Sequence, residues 1–267
     1  MSKMMFFAVA GLTASVAILM PSRGRSAAAP PTPVLVELFT SEGCSSCPPA
    51  DRLLRAIEAE QTPGADIIVM SEHVDYWDYL GWRDPFSSAQ FSKRQREYVS
   101  AFGKEGPYTP QMVVNGRAEF VGNDGRLAFK EISKAVGRPS ASVRIGAIEI
   151  GPPESGKPVA TVQLAVAGLP QNQHKDEWEL MLAVTETGLH SKPRSGENSG
   201  AALEHTGVVR TLVKASRVES ADFSIKARIV LDPGWNRHAL KVVAFVQEKK
   251  SRVVGGAAQA PLEPAAP

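Results

Sequence analysis

Apolar and polar positions alternate between two regimes along this chain, and the change falls near its middle. Before it, short apolar runs are separated by stretches with helical spacing. Val34 to Phe39 is a near-continuous apolar run broken only by Glu37 and followed by "TSEG", the pattern of a buried strand. Ala50, Leu53, Leu54 and Ile57 then recur at i, i+3, i+4 and i+7, one face of a helix that "QTPG" ends. Ile67 to Met70 reads as a second strand. A second helix is expected from about Ser87 to Phe102, with Phe91, Tyr98, Val99 and Phe102 inward and Lys93, Arg94 and Arg96 on a solvated face. Asn115-Gly116 between two apolar runs signals a hairpin. A third helix is expected over about Gly125 to Val136. The order strand, helix, strand, helix, strand, strand, helix makes the first two strands parallel through a right-handed crossover, with the hairpin supplying antiparallel edges.

Beyond "GRPSAS" (Gly137 to Ser142), which reads as a linker, the period becomes two. Val162, Leu164 and Val166 alternate with polar or small neighbours, as do Trp178, Leu180, Leu182 and Val184, then Phe223, Ile225, Ala227 and Ile229. Leu240 to Val246 adds another strand. Short strands at this spacing predict an antiparallel β-sandwich. The expected organisation is therefore an α/β domain over 32–138, a β-sandwich over 141–254 and a disordered Gly/Ala/Pro tail over 255–267.

The N-terminus changes the setting. Lys3, an apolar charge-free run from Met4 to Met20 and "PSRGRSAAAPPTP" form the pattern of an export signal over 1–28 with cleavage near Ala28. The alternative is an uncleaved membrane anchor, the one way this chain would meet a membrane. Either places the folded part outside the cytosol, in the periplasm or beyond. Composition is ordinary, 43% hydrophobic and 22% charged, and the formal net charge of +2 is too small to point to nucleic acid.

Only two cysteines occur, Cys44 and Cys47, both within "VLVELFTSEGCSSCPP". A bridge between them closes so small a ring that it stabilises by roughly 2 kcal/mol at most, so the spacing favours redox or metal chemistry over stapling. Zinc would want further ligands, and His73, His174, His190, His205 and His238 show no ligand-like close spacing. Between a strand and a helix, C-x-x-C points to redox chemistry. Unpaired N–H groups at the helix start favour negative charge. Cys44 is thus expected to be an exposed, activated nucleophile and Cys47 its resolving partner.

The motifs "ELFTSEGCSSCPPADRLL", "HVDYWDYLGWRDPF", "YTPQMVVNG", "EFVG" and "GENSG…LEHTGVVR" resemble a secreted bacterial family, domain-of-unknown-function family 1223, over nearly all the chain after the signal. The first domain of that family resembles thioredoxin. The resemblance implies that Pro110, after Thr109, is a cis-proline facing the cysteines and helping to bind extended peptide; an X-Pro bond makes the cis form accessible. The sequence departs from thioredoxin at Ser45-Ser46 between the cysteines, at Gly43 where thioredoxin has tryptophan, and at Leu38, near the place of its buried aspartate.

Around this centre, His73 either assists proton transfer and neutralises a thiolate or is hydrogen-bonded within its loop. Trp77, with Tyr76, Tyr79 and Trp82, either lines a substrate groove or packs an ordered loop. Thr109, Pro110, His73 and Trp77 are the candidate substrate-binding residues. Glu197, Asn198, His205 and Arg210 are placed to contact a partner or the first domain, unless their segment is simply a long surface loop. The expected activity is thiol–disulfide exchange on an exported protein or small-thiol disulfide, with a redox partner protein and no organic cofactor or metal. Two alternatives use the same cysteines: a Cu(I) carrier with His73, and a thioredoxin-like module that only binds.

Overall fold

The computed structural model describes residues 1, 30–60, 62–154, 156–170 and 176–263. The expected export signal, apart from its first residue, lies outside the described residues, as do residues 264–267. Among the described residues no helix is long and apolar enough to cross a membrane.

The elements run β1 (Thr32–Thr40), α1 (Pro48–Ala59), β2 (Ala65–His73), a 3-10 turn (Asp75–Leu80), α2 (Ala89–Ala101), β3 (Gln111–Val114), β4 (Ala118–Val121) and α3 (Gly125–Ala135). There follow β5 (Ser142–Glu154), β6 (Lys157–Ala167), β7 (Trp178–Glu186), β8 (Leu189–Ser191), β9 (Leu203–His205), β10 (Val208–Arg217), β11 (Asp222–Val230), a short 3-10 turn (Arg237–Ala239), β12 (Leu240–Glu248) and β13 (Val254–Pro261). The first half follows the predicted order. β1 and β2 are parallel, β3 is antiparallel to β1, and Asn115-Gly116 joins β3 to β4.

The division into two domains does not hold. The described residues from 31 to 263 form one compact unit. Its main sheet has eight strands in the order β13-β12-β7-β10-β2-β1-β3-β4, so the second half continues the sheet of the first. The join is β10 against β2, with Val208 opposite Ser71 and the Ser71 N–H donating to the Gly207 carbonyl at 2.8 Å. Antiparallel layering does occur in the second half: β11-β6-β5 forms a separate three-stranded sheet. It packs through Val162, Leu164 and Ile229 on Leu180, Leu182, Val242 and Ala244 of the main sheet. The expected self-contained sandwich is therefore replaced by a sheet that spans both halves.

Alternation along β1 sets the two faces of the main sheet. Val34, Val36 and Leu38 pack on Ala50, Leu54 and Ile57 of α1 and on Ala128 and Ile132 of α3. Leu35 and the neighbouring Ile68 and Met70 look the other way, toward Phe91 of α2 and Phe245 of β12. Glu37 shares a face with Leu35 and so points toward α2. There it meets Arg94, which is only 3% exposed, so the solvated face expected for this arginine is corrected.

The expected disordered tail is corrected as well. Val254–Pro261 pairs with β12, with Val243 opposite Gln259 and Phe245 opposite Ala257. Its small residues reflect tight packing. A Cβ on Gly256 would lie 2.4 Å from the Ala141 carbonyl oxygen, closer than any side chain tolerates. Composition alone reads such a stretch as unable to fold, whereas here small size is what lets the strand lie against β5.

Candidate functional site

β1 ends at Thr40, and the chain turns through Ser41, Glu42 and Gly43 into the cysteines. Successive turn hydrogen bonds shape this segment: the Cys44 N–H donates to the Ser41 carbonyl at 3.2 Å and the Cys47 N–H to the Cys44 carbonyl at 3.1 Å. Cys47 is the N-cap of α1, and Pro48-Pro49 occupy the first helical positions, where a missing N–H costs nothing. Cys44 and Cys47 are joined in a disulfide.

Strand register brings the remaining pieces to this edge. β3 runs antiparallel to β1 with Gln111 opposite Phe39, so Thr109 and Pro110 lie beyond the end of β1, beside the turn. The Thr109-Pro110 peptide is cis. Ser46 Oγ donates to the Thr109 carbonyl at 3.4 Å and lies 3.4 Å from Cys44 Sγ. Trp77 Nε1 donates to Thr109 Oγ1 at 2.8 Å. The same tryptophan backs onto Gly43, where a Cβ would come within 3.0 Å of the Trp77 Cβ. Cys44, Cys47, Thr109, Pro110 and Trp77 therefore form one cluster.

Two expectations about accessibility are changed. Cys44 is 1% exposed and Cys47 fully buried, so the exposed thiol expected of Cys44 is not found in this disulfide-closed form. His73 is also fully buried, which leaves it no surface with which to meet a substrate. It ends β2 beside Thr40, and its Nδ1 lies 2.7 Å from Asp84 Oδ2. The same Asp84 oxygen accepts the Glu42 N–H at 2.9 Å, tying β2 to the cysteine turn. Glu42 in turn accepts Trp82 Nε1 at 2.7 Å and lies 3.2 Å from His205 Nε2.

The ionisable groups under the turn polarise one another. Burial works against a charge on His73, but the adjacent Asp84 carboxylate overrides it and raises the imidazole above its ordinary value. For Asp84, burial pushes upward, yet His73 and the N–H groups of Glu42 and Phe86 hold the carboxyl below its ordinary value. Asp51, one turn beyond Cys47, is raised by burial against the pull of His205 and His73. The His73 contribution to stability is complete below about pH 6.5 and is lost as pH rises through the higher folded value. The Asp84 contribution is present above about pH 3.9 and is lost as pH falls through the lower folded value. Asp84→Asn is expected to cost about 3 kcal/mol and to abolish the loss of stability above neutral pH. Without its carboxylate His73 is buried neutral, so stability then rises between pH 5 and 7. Urea unfolding from about pH 5 to about pH 9 checks both slopes; parallel curves for the two proteins would refute the pairing.

The second half reaches the site through two of the residues expected to contact a partner or the first domain. Asn198 Nδ2 donates to the carbonyls of Glu42 at 2.8 Å and Cys44 at 2.9 Å. The Glu197 carboxylate accepts the Ser45 N–H at 2.9 Å. Arg210 instead lies over the rings of Phe86 and Trp235, away from the cysteines, with Glu186 at 3.5 Å. Asp84 carries no signal of chemistry in the sequence, and Trp82 is marked there only with the other aromatic side chains of its loop, as groove lining or loop packing. Among the described residues no group of three or more His, Cys, Asp or Glu side chains is arranged to hold a metal ion.

Fold and site together define a mixed α/β protein with a disulfide-closed C-x-x-C turn between its first strand and first helix. Residues 35–247 match the family described as "Protein of unknown function (DUF1223)", and the chain belongs to that family. Among solved structures it is similar to protein AGR_C_4864 from Agrobacterium tumefaciens, at 23% identity and a TM-score of 0.66, covering 90% of this chain and 99% of that one. It is also similar to HBP35 of Porphyromonas gingivalis, at 18% identity and a TM-score of 0.62, covering 90% and 78%. At these identities the likeness is one of fold. No curated protein matches.

Proposed function

We propose that this chain is an exported thiol–disulfide oxidoreductase with a thioredoxin-like first half. The observation that carries the reading is the Cys44–Cys47 disulfide, closed across the entry to α1 and flanked by Thr109-Pro110. The strand order β2-β1-β3-β4 with α1, α2 and α3 supports a thioredoxin-like arrangement. A disulfide as the sole use of cysteine, and the basic–apolar N-terminal pattern, support an oxidising compartment, periplasmic or extracellular.

In the reducing direction a Cys44 thiolate attacks a substrate disulfide. One S–S bond breaks, and the first substrate sulfur leaves with the electron pair. Cys47 loses its proton and attacks Cys44 Sγ, which expels the second substrate sulfur. Two electrons pass from the dithiol to the substrate, an exported protein or a small-thiol disulfide, and the expelled thiolates take protons from water. A redox partner protein would return the pair to the dithiol. Run backward, the same steps oxidise a dithiol. On reduction the Ser46 hydroxyl, beside Cys44 Sγ, would turn its single proton from the Thr109 carbonyl to the thiolate. No organic cofactor enters these steps.

The test is equilibration of the purified protein with glutathione and with a small aromatic disulfide. A two-electron equilibrium and accelerated exchange are expected. A protein that catalyses neither but binds one Cu(I) per chain when reduced would make the cysteines a copper site. Inertness in both assays would leave a thioredoxin-like binding module.

A further inference from the structure

The turn that carries the cysteines is gripped from the far end of the chain. Residues 192–202, between β8 and β9, run over it. Ser195 Oγ donates to the Gly81 carbonyl at 2.6 Å, and Asn198 holds the Glu42 and Cys44 carbonyls. Glu197, exposed on its outer side, places its carboxylate on the Ser45 N–H. This N–H belongs to the residue directly after Cys44. Left unpaired, it would favour negative charge on Cys44 Sγ, as the other N–H groups at a helix entry do. Glu197 takes that N–H for itself and adds a negative charge beside it. The Ser45 hydrogen bonds hold the Glu197 carboxyl below its ordinary value, so it is ionised at neutral pH.

The other ionisable groups around the turn are engaged with each other. Glu42 meets Trp82 and His205, and Asp84 meets His73. Asp51 lies a turn further on in α1 under the influence of Thr40, His73 and His205. Glu197 is therefore the one of these charges that meets the cysteine turn from the solvent side.

We propose that Glu197 sets the redox poise of the Cys44–Cys47 pair: its carboxylate opposes a thiolate on Cys44 and so favours the disulfide, making the dithiol a stronger reductant. The proposal rests on the exchange reading above. In the disulfide Cys44 is uncharged, and the contact between Glu197 and Ser45 is undisturbed. On reduction a Cys44 thiolate stands next to a carboxylate, and like charges repel. Stabilising the thiolate is what makes a dithiol–disulfide pair oxidising, and Glu197 works against that. Asn198 is a positioning residue, since its two hydrogen bonds fix the strap that presents Glu197.

Glu197→Gln tests this, because glutamine keeps the length and the hydrogen-bonding oxygen and removes only the charge. In the reduced full-length protein, the pH dependence of iodoacetamide alkylation reports the Cys44 thiol. Its pKa is expected to fall by about half to one unit in the variant. In equilibrium with glutathione, two glutathione thiols lose two electrons and two protons to form their disulfide, and the Cys44–Cys47 bond takes them up. The variant is expected to shift this equilibrium about threefold to tenfold toward the dithiol, roughly 14 to 30 mV. Thermal unfolding of the disulfide form should be unchanged, and added salt should shrink the difference from wild type. An unchanged or raised Cys44 pKa in Glu197→Gln overturns the proposal. If the wild type never equilibrates with glutathione, the exchange reading falls, while the alkylation profile still decides the role of Glu197.

Discussion

Arg94→Met is expected to lower the free energy of unfolding by about 3–5 kcal/mol, because it strands a buried carboxylate. Arg94 Nε donates to Glu37 Oε1 at 2.8 Å and reaches Glu72 Oε1 at 3.2 Å, and its Nη1 donates to Gln247 Oε1 at 2.9 Å. The guanidinium lies over the rings of Tyr98 and Phe245, and Tyr98 Oη donates to Glu37. Glu37, Glu72 and Gln247 come from β1, β2 and β12, so one arginine on α2 binds both halves of the main sheet. Burial is the main reason that Glu72 sits well above its ordinary value, with Arg94 opposing and Glu37 reinforcing the rise. Arg94 pairs chiefly with Glu37, which its guanidinium approaches to 2.5 Å against 3.2 Å for Glu72. Methionine fills much of the space but leaves Glu37 without its cation. Adding Glu37→Gln should recover part of the loss, since the stranded charge is the main cost. Urea unfolding of the two single variants and the double variant measures the coupling. A cost below about 1 kcal/mol for Arg94→Met would show that the network contributes little.

Cys44→Ser is expected to reduce thiol–disulfide exchange to the uncatalysed rate, whereas Cys47→Ser should stop at a mixed disulfide. The asymmetry follows from position. Cys44 lies in the turn beside Ser46 Oγ and the Thr109 carbonyl, where an extended substrate would approach. Cys47 caps α1 beneath it and is fully buried. A nucleophile and a resolving thiol three residues apart act as a unit, so loss of either ends turnover. In Cys47→Ser the mixed disulfide on Cys44 has no partner to expel it and should survive non-reducing electrophoresis. The covalently attached species then identifies the substrate. The opposite pattern, faster alkylation of Cys47 and a trap on Cys47 in Cys44→Ser, would reverse the assignment. An empty trap under exporting conditions would count against a protein substrate. Both sulfurs are covered in the disulfide form, so the proposed reaction requires the strap around Asn198 or the side chains beside it to yield to the substrate. Asn198→Ala, which releases two hydrogen bonds to the turn, is expected to speed reduction by a small phosphine two- to fivefold, on the scale of about 1 kcal/mol.

Much of the first half was legible because its signals are local. An apolar run, a helical period and Asn115-Gly116 each specify structure within a few residues, and together they place C-x-x-C between β1 and α1. The sequence marks Trp77 and Thr109 as neighbours of the cysteines, and they share one cluster with them. The sequence marks His73 too, but its placement at the end of β2, inside the sheet edge, sends its ring inward to Asp84 rather than outward. Arg94 departs from its expected wet face for a related reason. Helical spacing assigns a charged residue to the wet face, and only the approach of Glu37 from the facing strand makes burial tolerable. The second half is less legible in the sequence. Alternation marked β6, β7, β11 and β12, but β10 and β13 lack a clean period and gain their order from the strands beside them.

By itself the sequence determined the strand–turn–helix that carries Cys44 and Cys47, the hairpin at Asn115-Gly116 and the amphipathic helices, since each depends on contacts within one turn or one pair of strands. Only the tertiary structure decided that β10 joins β2 and fuses the two halves into one sheet. It alone buried Arg94 among Glu37, Glu72 and Gln247, and it alone laid Glu197 against Ser45, 152 residues away. The physical reason is the same in each case. A charge or an amide finds its partner across the chain by packing, and no period in the sequence records a partner that distant.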